Sequence, residues 1–328
     1  MTAPLLAVER LAVALARPGA APLRVLSDVA FTLARGETLG VVGESGSGKS
    51  LLALALAGLL PGPARATGSI RFAGGECLGA PEAALRALRG RRIGLVFQEP
   101  LTALNPAMRV GDQIAEGPVR VLGLGRAEGR RRALDLLDRV GIPDAARRVD
   151  AFPHELSGGQ RQRVGIAMAL ALGPALLIAD EPTTALDVTV QAEILDLLAG
   201  LVREDGMALI LVSHDLGVVA RATARTLVLY AGTRFEEGPT AAVLGAPANP
   251  YTAALLAARP RRRARPEDRL PTVPGTVPSF AALPPGCRFA PRCPDRRPAC
   301  EAAEPGWRLP APGRGSRCIL SSGPEAAP

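Results

Sequence analysis

The chain opens on short apolar runs separated by Gly and charged residues. "LAVERLAVAL" and "VLSDVAFTLARGETLGVVG" read as strands broken by Gly. "SLLALALAGLL" then turns helical and stops at "PGP", residues 61–63. "RIGLVFQEP" (92–100) predicts a further strand, closed by Pro100. From Asn105 to about Leu172 apolar residues recur every three or four positions, in "AEGRRRALDLLDRVGI" and "QRQRVGIAMALALG", which predicts helices. The β pattern then resumes. "ALLIAD" (175–180) and "MALILVSHD" (207–215) are almost wholly apolar, as buried parallel strands are. Between them "VTVQAEILDLLAGLVRE" (188–204) is an amphipathic helix. The alternation predicts an α/β fold with helices on the faces of a parallel sheet. Residues 1–97 and 173–258 form the expected core, 98–172 a helical insert, and 259–328 a linker with a cysteine-bearing extension.

Composition adds constraints. The chain has 328 residues, 48% of them hydrophobic and 21% charged, which is a globular balance with room for a sizeable core. Net charge is +8, but the basic runs at 89–92, 129–132 and 259–269 are scattered. They read as solvated faces and linkers, not as one stripe for nucleic acid. Charges interrupt the N-terminal apolar run, so it does not read as a signal peptide. No uncharged apolar stretch reaches the length of a membrane span. The chain reads as cytosolic. Cys77 stands alone and reads as structural, while Cys287, Cys293, Cys300 and Cys318 crowd the C-terminal stretch. Clustered cysteines in a cytosolic chain point to metal before disulfides.

Positive charge is carried almost entirely by Arg. Of 39 basic residues one is a lysine, Lys49, and it sits in "GESGSGKS", residues 43–50. This fits the phosphate-cradle pattern G-x-x-x-x-G-K-[ST] at Gly43, Gly48, Lys49 and Ser50, with a strand before it and a helix after it. Gly43, Gly46 and Gly48 let the backbone curl so that N–H groups of the loop, with Glu44, Ser45 and Ser47 between them, face phosphate oxygens. Lys49 reaches for the β- and γ-phosphates, and the Ser50 hydroxyl for Mg²⁺. An ammonium is a compact charge and a guanidinium a broad fork, so the two are not interchangeable in a tight cradle.

Residues 152–191 read "FPHELSGGQRQRVGIAMALALGPALLIADEPTTALDVTVQ". This stretch resembles the ATP-binding subunits of ABC transporters. "LSGGQ" (156–160) resembles the signature motif, "LLIADE" (176–181) Walker B with the catalytic glutamate, and "ALD" (185–187) the D-loop. Gln98 in "VFQEP" resembles the Q-loop, and "VSHD" (212–215) the H-switch. The resemblance implies a P-loop NTPase: a RecA-like parallel sheet with an N-terminal antiparallel β subdomain, and a helical subdomain bearing the signature. Residue chemistry agrees at several positions. Asp180 ends a buried strand, where a carboxylate needs a partner charge, and Mg²⁺ is the natural one. By resemblance Glu181 polarises the attacking water as general base, Gln98 orients water and touches Mg²⁺, and His214 contacts the γ-phosphate. Ser157 is a good helix N-cap, and Gly158, Gly159 and Gln160 begin a helix whose positive end suits an anion. The family binds ATP in a head-to-tail dimer, so Ser157 to Gln160 and Asp187 are expected at the other subunit's ATP. One departure is plain: "ARPGAAPLRVLSDV" (16–29) has no aromatic residue on which adenine would stack.

"FQEPLTALNPAMRVGDQIAEG" (97–117), "NPYTAALLAARP" (249–260) and the stretch 271–300 resemble the branch that imports dipeptides, oligopeptides or nickel. That branch implies a second cassette, two membrane-spanning permease subunits, an extracytoplasmic solute-binding protein, and a peripheral place on the cytoplasmic face of the membrane. It also implies a [4Fe–4S] cluster on the four tail cysteines. Their spacing, C-x₅-C-x₆-C-x₁₇-C, is unlike the close pairs of zinc knuckles. By residue type alone an iron–sulfur cluster, another metal or disulfide, and free buried thiols all stay open. A soluble ABC ATPase acting on nucleic acid is the alternative; such proteins carry paired cassettes or insertions that this chain lacks. A non-hydrolysing partner would have a damaged Glu181, His214 or signature, and all three are intact.

Overall fold

The computed structural model describes residues 3–98, 103–184, 186–258 and 272–326. Two compact units are present. One comprises Met1–Leu33, Leu39–Leu78 and Ser213–Pro328; the other comprises Ala34–Thr38 and Gly79–Val212.

Strands β1 (Leu6–Arg17) and β2 (Ala20–Leu33) form a long antiparallel hairpin. Their inward positions, Leu6, Val8, Leu11, Val13, Leu26, Val29, Phe31 and Leu33, are buried, as period-two patterning requires. The register slips between Val8 and Leu11, where Arg10 takes a positive φ of 47°. Next come β3 (Thr38–Val42), then helix α1 (Lys49–Leu56), β4 (Ala64–Phe72) and the short β5 (Gly75–Glu76). The sheet order is β2-β1-β4-β5, antiparallel throughout. Helix α1 stops short of residues 61–63. The chain turns at Gly58, and the Leu59 N–H donates to the Leu54 carbonyl at 2.8 Å. Cys77 is buried beside β5.

The second unit carries α2 (Glu82–Leu88), β6 (Ile93–Val96), α3 (Val110–Leu122), α4 (Arg126–Arg139), α5 (Ala145–Arg148) and α6 (Gly158–Leu170). After them come β7 (Leu176–Asp180), α7 (Val188–Asp205) and β8 (Ala208–Ser213). β6, β7 and β8 pair in parallel. Leu176, Leu177, Ile178 and Ala179 are fully buried, so the apolar runs do mark a covered parallel sheet. The helical stretch reads as expected from its period. Residues 99–102, which include the Pro100 expected to close a strand, lie outside the described residues.

The first unit continues with α8 (Leu216–Ala222), β9 (Arg225–Tyr230), β10 (Thr233–Pro239), α9 (Thr240–Gly245) and α10 (Pro250–Ala257). The C-terminal extension adds α11 (Pro298–Ala302), β11 (Arg308–Ala311) and β12 (Arg314–Ser316). β3 pairs with β9 in parallel, and β9, β10, β12 and β11 follow antiparallel. Tyr230, Phe235, Tyr251 and Phe289 make an aromatic cluster that seats the extension, with centroids 4.5 Å apart for Tyr230 and Tyr251. The linker positions 259–271 lie outside the described residues. Among the described residues, no helix is long and apolar enough to cross a membrane.

Candidate functional site

β3 delivers the chain into a tight loop over residues 43–50, and α1 begins at Lys49. Gly43 has a φ of 155°, and a Cβ there would lie 2.1 Å from the Leu229 carbonyl oxygen. Gly48 has a φ of 98°, and its Cβ would lie 2.7 Å from Leu26 Cδ2. Both positions therefore require glycine. The loop is further held by the Ser47 N–H donating to the Glu44 carbonyl at 3.1 Å and the Gly232 N–H donating to the Ser47 carbonyl at 2.9 Å. Lys49 is buried, and its Nζ donates to the Gly43 and Glu44 carbonyls at 2.8 and 3.0 Å. Ser47 Oγ is buried with no hydrogen-bond partner among the described residues, an orphan hydroxyl facing the loop interior. Gly43 to Ser50 are thus gathered in one turn.

In the other unit β7 ends at Asp180, and Glu181 follows with a φ of 47°. That left-handed backbone is costly for a residue with a side chain. It is fixed by the Glu181 N–H donating to the Val212 carbonyl at 2.9 Å. The Glu181 carboxylate accepts from Thr184 Oγ1 at 2.9 Å and from Gln98 Nε2 at 3.2 Å. Gln98 and Glu181, 83 residues apart, are brought together as a pair. Thr184 carries no marker in the sequence, since the run "EPTTALD" offers no contrast between its two threonines.

Ser157 caps α6. Its Oγ accepts from the Gln160 N–H at 3.3 Å, while the Gln160 side chain accepts from the Ser157 N–H at 3.0 Å. This reciprocal box opens the helix at Gly158 and Gly159. Asp187 caps α7, accepting from the Val190 N–H at 2.9 Å. Ala185, in the same segment, lies outside the described residues. His214 is exposed just past β8, in the first unit, one residue before the Asp215 cap of α8.

The four tail cysteines line one small pocket with Phe235 and Phe289. A backbone bond from the Cys287 N–H to the Cys300 carbonyl, 2.7 Å, ties two of them together. Burial pushes the Cys287 thiol up to about 11, and the Cys293 and Cys318 thiols are raised for the same reason. All four are free thiols, and the apolar setting favours the protonated form of Cys287, Cys293 and Cys318. Among the described residues no group of three or more His, Cys, Asp or Glu is arranged to hold a metal ion. The donor type suits an iron–sulfur cluster, but this arrangement gives that expectation no support.

Two features near the cradle lie outside the ATPase motifs of the sequence. Tyr251 OH accepts from the Glu44 N–H at 3.0 Å. Arg292, from the extension, donates to both Glu44 carboxylate oxygens at 2.7 and 2.9 Å. Tyr251 is one of two tyrosines, a rarity that would have singled it out. Nothing in the sequence distinguishes Arg292 among so many arginines.

Comparison with known proteins places this geometry. Residues 26–184 match the ABC transporter family model, and residues 235–300 match the model described as "Oligopeptide/dipeptide transporter, C-terminal region". Two solved cassettes share the fold. A dimeric post-hydrolysis state of the ATP-binding cassette MJ0796 bound to ADP and Pi aligns at 28% identity and a TM-score of 0.64, over 72% of this chain and 98% of the other. CbiO1 from Clostridium perfringens, part of the ABC transporter complex cbiONQ, aligns at 30% and 0.63, over 74% and 91%. The chain belongs to the ABC transporter ATP-binding cassettes, with the P-loop α/β fold of that family. Within it, a protein of Brucella abortus (strain 2308) named "Putative peptide import ATP-binding protein" is 50% identical over 97% of this chain and 95% of its own length. One of the same description from Brucella melitensis biotype 1 is 49% identical over 92% and 93%.

Proposed function

We propose that the chain is the ATP-hydrolysing subunit of a membrane importer for dipeptides or oligopeptides. The observation that carries this reading is one chain holding both a cassette and the oligopeptide-type C-terminal region, with 50% identity to a peptide-import relative across 97% of its length. In this reading residues 1–97 and 173–258 are the nucleotide-binding core, 98–172 the helical signature subdomain, and 259–328 the linker and extension.

Gly43 to Ser50 wrap the phosphates, and Lys49 shifts from its carbonyls to the β- and γ-phosphates. Ser50, Asp180 and Gln98 would hold Mg²⁺, which supplies charge neutralisation at the phosphates. Glu181, already oriented by Thr184 and Gln98, takes a proton from the attacking water. His214 steadies the γ-phosphate. Ser157 to Gln160 and Asp187 meet the ATP held by a second cassette, so ATP favours the closed dimer and hydrolysis releases it. Two permease subunits convert that cycle into transport of solute delivered by an extracytoplasmic binding protein, with this chain peripheral on the cytoplasmic face. A [4Fe–4S] cluster on Cys287, Cys293, Cys300 and Cys318 is the finer reading of the tail.

Anaerobic purification of the full chain from membranes tests the reading. Co-purifying permease proteins are expected, with iron and sulfide in the same sample if the tail carries a cluster. ATPase activity stimulated by DNA, with no permease association, would favour the nucleic-acid alternative and refute the importer.

A further inference from the structure

The acidic residue of the cradle poses an electrostatic problem. Glu44 is the sole acidic side chain in residues 43–50, and a carboxylate beside a triphosphate repels it. The extension answers that problem from 248 residues away. Arg292 lies just before Cys293, at the end of the turn Ala290–Arg292. Its side chain is 4% exposed, against 25% for Glu44. It grips Glu44 with both terminal nitrogens, and its Nε donates to the Pro274 carbonyl at 2.7 Å. One of those nitrogens also lies 3.2 Å from Tyr230 OH. The guanidinium is thus fixed on every side, and it presents a two-pronged fork matched to a carboxylate. Tyr251 completes the clamp by accepting from the backbone N–H of the same Glu44.

We propose that Arg292 is a positioning residue for the ATP cradle: its ion pair with Glu44 holds the entry of the loop in place and cancels the loop's own negative charge. The proposal rests on the ATP-binding reading above. It assigns the C-terminal extension a part in nucleotide affinity, through an ion pair between two side chains of this chain. Removing Arg292 leaves a partly buried carboxylate unpaired beside the phosphates. Removing both charges leaves nothing to repel. The two cases separate an electrostatic role from simple packing, because lost packing cannot be repaired by a second loss.

The test is binding of a fluorescent ATP analogue (N-methylanthraniloyl-ATP) to the full chain, with kcat and KM for ATP hydrolysis measured alongside. Arg292→Gln is expected to weaken analogue binding about tenfold and raise KM in step, with kcat within about threefold. Adding Glu44→Gln to it is expected to restore most of the affinity. Arg292→Gln that binds like the wild type overturns the proposal, as does a double variant no better than the single one. If Arg292→Gln fails to fold, Arg292→Lys replaces it: charge kept and fork lost should weaken binding severalfold, and unchanged binding overturns the proposal. Wild-type protein that does not bind the analogue refutes the ATP reading and the proposal with it, whereas wild-type binding with an unaffected variant refutes the proposal alone.

Discussion

At Lys49 a single ammonium sits 2.8 Å from one loop carbonyl and 3.0 Å from the next. In the proposed function those oxygens hold its place until phosphate oxygens take over. A guanidinium could not follow the same path, because its planar fork is too broad for a loop in which a single Cβ at Gly43 would collide with backbone. Lys49→Arg is therefore expected to lower ATP hydrolysis at least about a hundredfold despite keeping the charge, since misplacement of about 1 Å costs that much. An ATPase assay that returns a rate within tenfold of the wild type would contradict this. The lone lysine in an arginine-rich chain was visible from composition alone. The left-handed φ of Glu181 was not, since nothing in "ADEP" announces it. It follows from where β7 ends and from the bond to Val212.

Among the elements, α6 shows a structural use for a motif to which the proposed function also gives a part in ATP binding. The Ser157 and Gln160 box satisfies backbone donors that the helix would otherwise leave open. Ser157→Ala is expected to cost about 1 kcal/mol, read by urea denaturation of the full chain. No change in midpoint would mean that the box adds nothing to the fold. Most elements were legible: the parallel strands from their apolar runs, the helical stretch from its period, and the phosphate loop from its spacing. The end of α1 was misread because Leu59 and Leu60 extend the apolar pattern beyond the turn at Gly58. Periodicity reports which face is buried, and it does not sense where a backbone reverses.

In the whole molecule the sequence motifs account for the nucleotide chemistry, and the long-range contacts account for what the motifs omit. The extension could be recognised by its cysteines, yet its firmest link to the cradle is an arginine indistinguishable in sequence from the rest. Contacts between residues far apart along the chain leave no periodic trace. The same limit applies to the pairing of Gln98 with Glu181: resemblance gave each residue a role, and the contact between them appears only in the fold. In the proposed function this chain hydrolyses ATP with Glu181 as the general base. The most direct measurement is the steady-state ATPase rate of wild-type and Glu181→Gln protein at saturating ATP, with analogue binding recorded on both. Turnover of Glu181→Gln is expected to fall about a hundredfold or more with binding retained. Equal rates for the two proteins would contradict it.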